Sequence, residues 1–326
     1  MKAFVAGGAG FIGSHLVSRL LSGKSTERVV IYDNFSSGQM WHLDGVTGDP
    51  RLMIVRGDLK DLPELKTAMA DTDTVFHLAS NPDIAKAVTR PDIDFWEGTY
   101  LTQNILESMR INGVGKVFYT SGSGVYGDVG AVPVREDFGP QLPISTYAAS
   151  KLAGEALICS YCHMFGMRAL AFRFANVVGP RQTHGVAYDF IRRLSLDPIH
   201  LDILGDGSQS KAYIFVDDVL DAIFHVDAHS ATDPYTCFNV ATEDYVSVRE
   251  IADMVVQAMG ISLDRVAYRF SGGDRGWKGD VPIVRFDLSK IHRTGWRAKR
   301  TSREALRDAI RSLIDEFKTR SGERRE

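Results

Sequence analysis

Residues 2–16 read Lys2-Ala3-Phe4-Val5-Ala6-Gly7-Gly8-Ala9-Gly10-Phe11-Ile12-Gly13-Ser14-His15-Leu16, and the next apolar run, Val29-Val30-Ile31-Tyr32, ends on Asp33. The run Ala3–Ala6 predicts a strand and Ile12–Ser22 a helix, with glycines at 7, 10 and 13 at the junction. A strand that turns tightly into a helix needs positive φ, close backbone approach and close helix–strand packing, all of which glycine permits. The N–H groups at the start of that helix suit a pyrophosphate. Asp33 follows Gly13 by twenty residues, at the end of the next strand, where a carboxylate accepts from ribose hydroxyls and repels a 2′-phosphate. A dinucleotide site for NAD rather than NADP is therefore expected from Gly7, Gly10, Phe11, Ile12, Gly13, Asp33 and Asn34.

Working outward, the first half of the chain alternates short apolar runs with helical stretches. Val29–Asp33, Leu52–Val55, Thr74–Ala79, Lys116–Ser121 and Arg168–Phe174 read as further strands, continuous in apolar character as parallel strands buried on both faces are. Pro63–Ala70, Phe95–Ile111 and Thr146–Phe165 read as helices between them. The pattern is that of an α/β protein, a doubly wound parallel (Rossmann) sheet. After Gly179-Pro180 the helices Val186–Leu196, Val216–His225, Val248–Met259 and Ser302–Lys318 mix with short strands and Gly-rich loops. This predicts a dinucleotide domain over 1–180, a smaller α/β substrate lobe over 181–318 with possible crossing of the chain between lobes, and a fraying polar tail over 319–326. By analogy of fold, Asp58 and Leu59 are expected beside the adenine, and Leu78, Ala79 and Ser80 beside the pyrophosphate.

The composition narrows the class. Of 326 residues, 44% are hydrophobic and 17 are Phe, which is ample for a buried core and excludes wholesale disorder. Thirty-eight basic residues against 41 acidic give a net charge of −3, so neither nucleic acid nor an anionic membrane is an expected partner. No apolar run approaches the ~18 residues of a membrane span, and the N-terminus is not expected to act as a signal peptide. Three cysteines are too few for a disulfide framework and suit a reducing cytoplasm. Cys159 and Cys162 are expected to be buried thiols, His77 a packed or backbone-bonded histidine, and no metal site is expected.

Tyr147 and Lys151 stand four apart in Ser145-Thr146-Tyr147-Ala148-Ala149-Ser150-Lys151, on one helical face. An ammonium beside a phenol favours the phenolate, so Tyr147 is expected to titrate below its ordinary range and to serve as a general base.

Gly7-x-x-Gly10-x-x-Gly13 with Tyr147-x-x-x-Lys151 resembles the extended short-chain dehydrogenase/reductase family. Supporting segments run nearly the whole chain: His77–Ser80, Ser121–Gly127, Arg173–Asn176, Gly179–Arg181, Gly205–Gly207 and Tyr213–Asp218. Within that family the chain looks like an NAD-dependent nucleotide-sugar epimerase/dehydratase, most like the UDP-sugar 4-epimerases. The resemblance implies a bound NAD⁺ that is used but not consumed. Tyr147 would take the proton of the sugar 4-OH as hydride leaves C4, Lys151 would hold the nicotinamide ribose, and the 4-keto sugar would receive the hydride on its other face. It further implies nicotinamide contacts from Phe174 and a homodimer.

Departures from the family pattern sharpen the reading. The usual bridging hydroxyl falls on Gly122, so Ser123, or else Ser121, is expected to replace it. Dehydratases carry an Asp-Glu pair, and decarboxylases a Glu, where this chain has Ser123-Gly124, which favours epimerisation. The alternatives left are a reductase, a 4,6-dehydratase or a decarboxylase of the same family, or a non-catalytic NAD-sensing protein. For the substrate, the resemblance assigns Asn176 and Arg275 to the nucleotide diphosphate and Lys211 to the diphosphate or the ribose. Val284 falls where a bulky residue in relatives limits the sugar 2-substituent, so N-acetylhexosamines could fit. Arg181 could pair with a uronate carboxylate.

Overall fold

A computed structural model describes residues 1–229 and 233–323. The chain divides into two compact units, each assembled from separate stretches: Met1–Val125, Ser145–Arg173 and Ile223–Phe238 form the first, and Tyr126–Ile144, Phe174–Ala222 and Asn239–Glu326 the second. The first unit takes in residues 223–238, which a cut near 180 assigns to the other lobe. The reason is a strand, Tyr235–Val240, that joins the central sheet at its edge.

The first unit is built on a seven-stranded parallel sheet. Its strands are β1 (Lys2–Ala6), β2 (Arg28–Asp33), β3 (Leu52–Arg56), β4 (Thr74–His77), β5 (Lys116–Gly122), β6 (Arg168–Phe174) and β7 (Tyr235–Val240). Their spatial order is β7-β6-β5-β4-β1-β2-β3. β1 pairs in parallel with both β2 and β4, aligning Val5 with Ile31 and with Phe76. The order reverses between β1 and β4, and ligands of doubly wound sheets bind at such a reversal, beyond the carboxyl ends of the strands.

The helices that follow these strands are α1 (Phe11–Ser22), α2 (Leu62–Ala68), α3 (Tyr100–Asn112) and α4 (Thr146–Phe165). On one face of the sheet, Leu65 and Met69 from the α2 region, Ile105 and Met109 of α3, and Ile158 and Cys162 of α4 close over Phe4, Tyr32, Val75 and Tyr119. Each large aliphatic side chain taken from water there contributes roughly 1.5–3 kcal/mol. The stretch predicted as one helix over 95–111 is instead a π-helical turn, Phe95–Thr99, running into α3. Gly98 in that turn faces Ser150 of α4: a Cβ at 98 would lie 2.5 Å from the Ser150 hydroxyl.

The second unit carries α5 (Val186–Leu196), α6 (Val216–His229, whose last turns belong to the first unit), α7 (Val248–Ala258) and α8 (Ser302–Glu323). Short parallel pairs accompany them, among them Asn176–Val178 with Tyr213–Phe215 and His200–Ile203 with Ala267–Phe270. α7 begins with a capping box, in which Ser247 and Glu250 satisfy each other's backbone N–H groups. α8 runs to Glu323, through most of the stretch expected to fray, and residues 324–326 lie outside the described ones. No helix among the described residues is long and apolar enough to cross a membrane.

Candidate active site

The loop after β1 is shaped by close contacts. Gly7 has φ +80°, and a Cβ there would sit 2.8 Å from the Ala79 backbone nitrogen beyond β4. A Cβ at Gly13 would fall 2.1 Å from the Gly7 carbonyl oxygen, so any side chain at 13 forces the loop apart. This pulls the loop and Leu78–Ser80 together at the point of reversal. The N-terminus of α1, with Gly10 as N-cap, has no side-chain cap, which leaves its first-turn N–H groups directed at a ligand position. Asp33 accepts from the Ala9 N–H and the Phe35 N–H, both at 2.9 Å, and so ties the glycine loop to the end of β2. Each carboxylate oxygen takes two donors, so acceptor capacity remains for ribose hydroxyls. Burial pushes its carboxyl up from the ordinary range, against those two hydrogen bonds. A strand, a glycine-rich turn, an uncapped helix start and a buried acid fit a dinucleotide.

Around this core the other cofactor candidates are distributed unevenly. Asn34 closes an Asx turn onto the Ser36 N–H. Asp58 accepts from the Lys60 N–H and pairs with the Lys60 ammonium at 3.5 Å, while that ammonium also holds Glu97 at 2.6 Å. Leu59 is buried, and its carbonyl accepts from Asn104.

The reactive pair sits on the first turns of α4. Ser145 caps the helix by accepting from the Ala148 N–H, which fixes the turn that presents Tyr147. Lys151 is buried, donates to the Thr120 carbonyl at 2.8 Å, and lies 5.6 Å from the centre of the Tyr147 ring. Burial pushes the Lys151 ammonium down to about 8, opposed by Glu155 and Asp94. Tyr147 does not titrate low as expected: burial raises its phenol, opposed by a hydrogen bond with Ser80. The expectation gave weight to the neighbouring ammonium and none to desolvation, which is the larger effect here. Ser80, placed by sequence beside the pyrophosphate, thus also touches the phenol.

Of the two candidate hydroxyls, Ser121 is otherwise engaged. It is buried and donates to Glu155 at 2.5 Å, which commits its proton to that carboxylate. Ser123 opens the short helical turn after β5 and is half-buried. Gly122 between them has open space where a side chain would begin.

Sequence reasoning missed two buried carboxylates beside this pair. Asp94 accepts from Asn81 at 2.8 Å and from Thr146 at 2.7 Å, linking the segment after β4 to the residue before Tyr147. Glu155 lies one turn beyond Lys151, and that four-residue spacing is visible in the sequence. His77 bonds the Thr102 hydroxyl at 2.9 Å, a side chain and not backbone, and burial drives its imidazole down to about 3. Cys162 is buried as expected, whereas Cys159 is only half-buried.

The NAD dependent epimerase/dehydratase family model matches residues 3–241, which spans the glycine loop, the Tyr147–Lys151 helix and all seven strands of the sheet. The chain belongs to that family. The UDP-glucose 4-epimerase of Mycolicibacterium smegmatis is 36% identical over 98% of this chain and 100% of its own. A crystal structure of a UDP-galactose 4-epimerase superposes with a TM-score of 0.85 at 37% identity, covering 97% of this chain and 100% of that one. A dTDP-glucose 4,6-dehydratase of Streptomyces venezuelae, solved with NAD bound, gives 0.88 at 26% identity over 98% of both chains. NAD is accordingly the cofactor of this epimerase/dehydratase family member.

In the second unit, Asn176, Lys211 and Val284 lie along residues 210–213, and Arg275 meets Lys211's partner Asp280. Asn176 donates to the Ala212 carbonyl at 3.3 Å, and Lys211 pairs with Asp280 at 2.5 Å. Arg275 donates to the Asp280 carbonyl at 2.6 Å and pairs with Asp128. Val284 is buried next to Ile283, which bridges to Ser210. Arg181 is tied elsewhere: its φ is +63°, and its N–H donates to Glu316 of α8 at 2.9 Å. Phe174 is buried at the end of β6.

Proposed function

We propose that this family member is a UDP-sugar 4-epimerase. The observation that carries the reading is the sequence after β5, Ser123-Gly124, where elimination and decarboxylation need acids. A Cβ at Gly124 would lie 2.9 Å from the Ala148 Cβ of α4, so the position is closed to a glutamate without movement of the catalytic helix. The two 4-epimerase relatives at 36% and 37% identity support the same choice.

NAD⁺, when bound, supplies a hydride acceptor and a positive charge that favours the phenolate. The glycine loop and Asp33 hold it, with Leu78–Ser80 and Phe174 alongside. Tyr147 takes and returns the proton of the sugar 4-hydroxyl, with Ser123 as the bridging hydroxyl and Lys151 stabilising the phenolate and the nicotinamide ribose. Asn176, Lys211 and Arg275 bind the diphosphate of the nucleotide. Lys211 and Arg275 first exchange the carboxylates of Asp280 and Asp128 for phosphate oxygens. Purified protein should interconvert C4 epimers without added cofactor. Consumption of external NADH, or a 4-keto-6-deoxy product, would overturn the proposal.

Three further expectations follow. Because burial holds the Lys151 ammonium near 8, the charged form is present below that pH and lost above it. kcat should therefore fall as pH rises through about 8, read from a rate profile at saturating substrate. Asp33→Ala should weaken NAD about tenfold or more and relieve the bias against NADP, since both the ribose acceptor and the anion that repels a 2′-phosphate are removed. Equal affinities of wild type and variant for both dinucleotides would contradict that role. For the sugar, comparing UDP-glucose, UDP-N-acetylglucosamine and UDP-glucuronate tests the assignments of Val284 and Arg181, and exclusive use of UDP-glucose defeats both.

We also infer a cytoplasmic homodimer. Three free cysteines suit a reducing compartment. Phe95 and Trp96 ahead of α3, Ile111 of α3, and Met164 and Phe165 of α4 expose apolar surface on the two helices that pair across the dimer axis in this family. Sedimentation at a single-chain mass would refute the dimer.

A further inference from the structure

The catalytic helix is fastened to the sheet by one carboxylate. Glu155, eight residues after Tyr147 and four after Lys151, shares their helical face and is 4% exposed. Arg173 of β6, also 4% exposed, reaches it with two parallel hydrogen bonds, Nε to Oε1 at 3.0 Å and Nη2 to Oε2 at 2.6 Å. Ser121 of β5 donates to Oε1 at 2.5 Å, and Tyr235 of β7 donates to Oε2 at 3.2 Å. Three neighbouring strands thus converge on a single side chain one helical turn from the reacting ammonium. Two of these anchors lie beside site residues: Ser121 precedes the Gly122-Ser123 turn, and Arg173 precedes Phe174. The fork geometry of guanidinium with carboxylate fixes direction as well as distance.

We propose that Glu155 is a positioning residue of the epimerase reaction, locking the face of α4 that bears Tyr147 and Lys151 to the carboxyl ends of β5 and β6 and to the first residue of β7. The inference rests on the function proposed above. A buried ion pair by itself is weak evidence of stabilisation, because desolvation offsets the attraction, and its best-attested use is to fix register. Here the register is that of a helix against the strand ends that carry its catalytic partners, where misplacement of about 1 Å is costly to rate. Glu155 has an electrostatic effect in addition. The titratable groups acting on or facing Lys151 are Glu155 on α4, Asp94 ahead of α3, His77 of β4, Tyr119 of β5 and Tyr147. Glu155 is the strongest of the groups that favour the charged ammonium. His77, driven down by burial, is neutral.

The test compares wild type, Glu155→Asp and the double variant Glu155→Gln/Arg173→Gln, each assayed as NAD-loaded enzyme with a UDP-sugar turned over by wild type. The double variant avoids stranding a buried guanidinium, and the aspartate variant keeps the ion pair with one methylene less reach. We expect kcat per NAD-loaded chain to fall about tenfold or more in the double variant, with KM within about threefold, the pattern of a lost transition-state alignment. Its alkaline limb should move to lower pH, since the carboxylate that favours the ammonium is gone. Glu155→Asp should lower kcat yet restore the limb. If Glu155 serves stability alone, the variants melt earlier while kcat per loaded chain and the limb match wild type, and the proposal is overturned. If wild type inverts no UDP-sugar, the proposed function fails instead. The positioning role is then read from the NAD dissociation constant, which should weaken in the double variant, and an unchanged constant overturns it as well.

Discussion

Tyr147→Phe should lower kcat by at least ~10²-fold while the purified protein still carries NAD, because one hydroxyl is lost from the proton path and none from the dinucleotide cradle. We assign the phenol as the group on α4 that exchanges a proton at the sugar. Ser80 hydrogen-bonds it, and Lys151 is engaged with the Thr120 carbonyl. KM for the nucleotide sugar should change little, since we assign the diphosphate contacts to Asn176, Lys211 and Arg275. Two measurements suffice, kcat and the NAD content of the isolated protein. Unchanged turnover would remove Tyr147 from the reaction, whereas loss of NAD with loss of turnover would mean that the phenol acts in binding.

Gly13→Ala should abolish NAD retention. The added methyl would stand 2.1 Å from the Gly7 carbonyl oxygen and 2.8 Å from the Gly8 Cα, both backbone atoms that no rotamer change can clear. The loop must then open, which moves the Gly7 backbone from Ala79 and shifts the uncapped N-terminus of α1 that we assign to the pyrophosphate. We expect dinucleotide affinity to fall by at least about a hundredfold and activity to vanish at ordinary cofactor levels, with the sheet itself still folded, as circular dichroism would show. Retention of stoichiometric NAD by this variant would contradict the assignment of the loop.

These two sites were legible in the sequence because each depends on local chemistry. The glycine spacing states its own steric requirement, and Tyr147 and Lys151 share a helix whose observed bounds, Thr146–Phe165, are those read from pattern. What escaped reading depends on pairings distant in the chain. β7 was missed because its Thr236, Cys237 and Asn239 do not read as a buried run. Asn239 is nonetheless fully buried, with its amide satisfied by Tyr126, the Val134 carbonyl and the Asp287 carbonyl. Glu155 was visible as a spacing, but its meaning came from Arg173, Ser121 and Tyr235, which only the fold assembles. Asp94 gave no local signal, being bound by Asn81 and Thr146 from two different segments. The pKa of Tyr147 was misjudged for a related reason: sequence shows a neighbour's charge but not how dry the pocket is.

The most direct test of the account follows the hydrogen at C4. Purified enzyme, with no cofactor added, is given a UDP-sugar deuterated at C4, and the product is analysed by mass and NMR. We expect inversion at C4 with the deuterium still on that carbon, since the same hydride is removed and returned. Deuterium washed out to solvent, or found on another carbon, would contradict it.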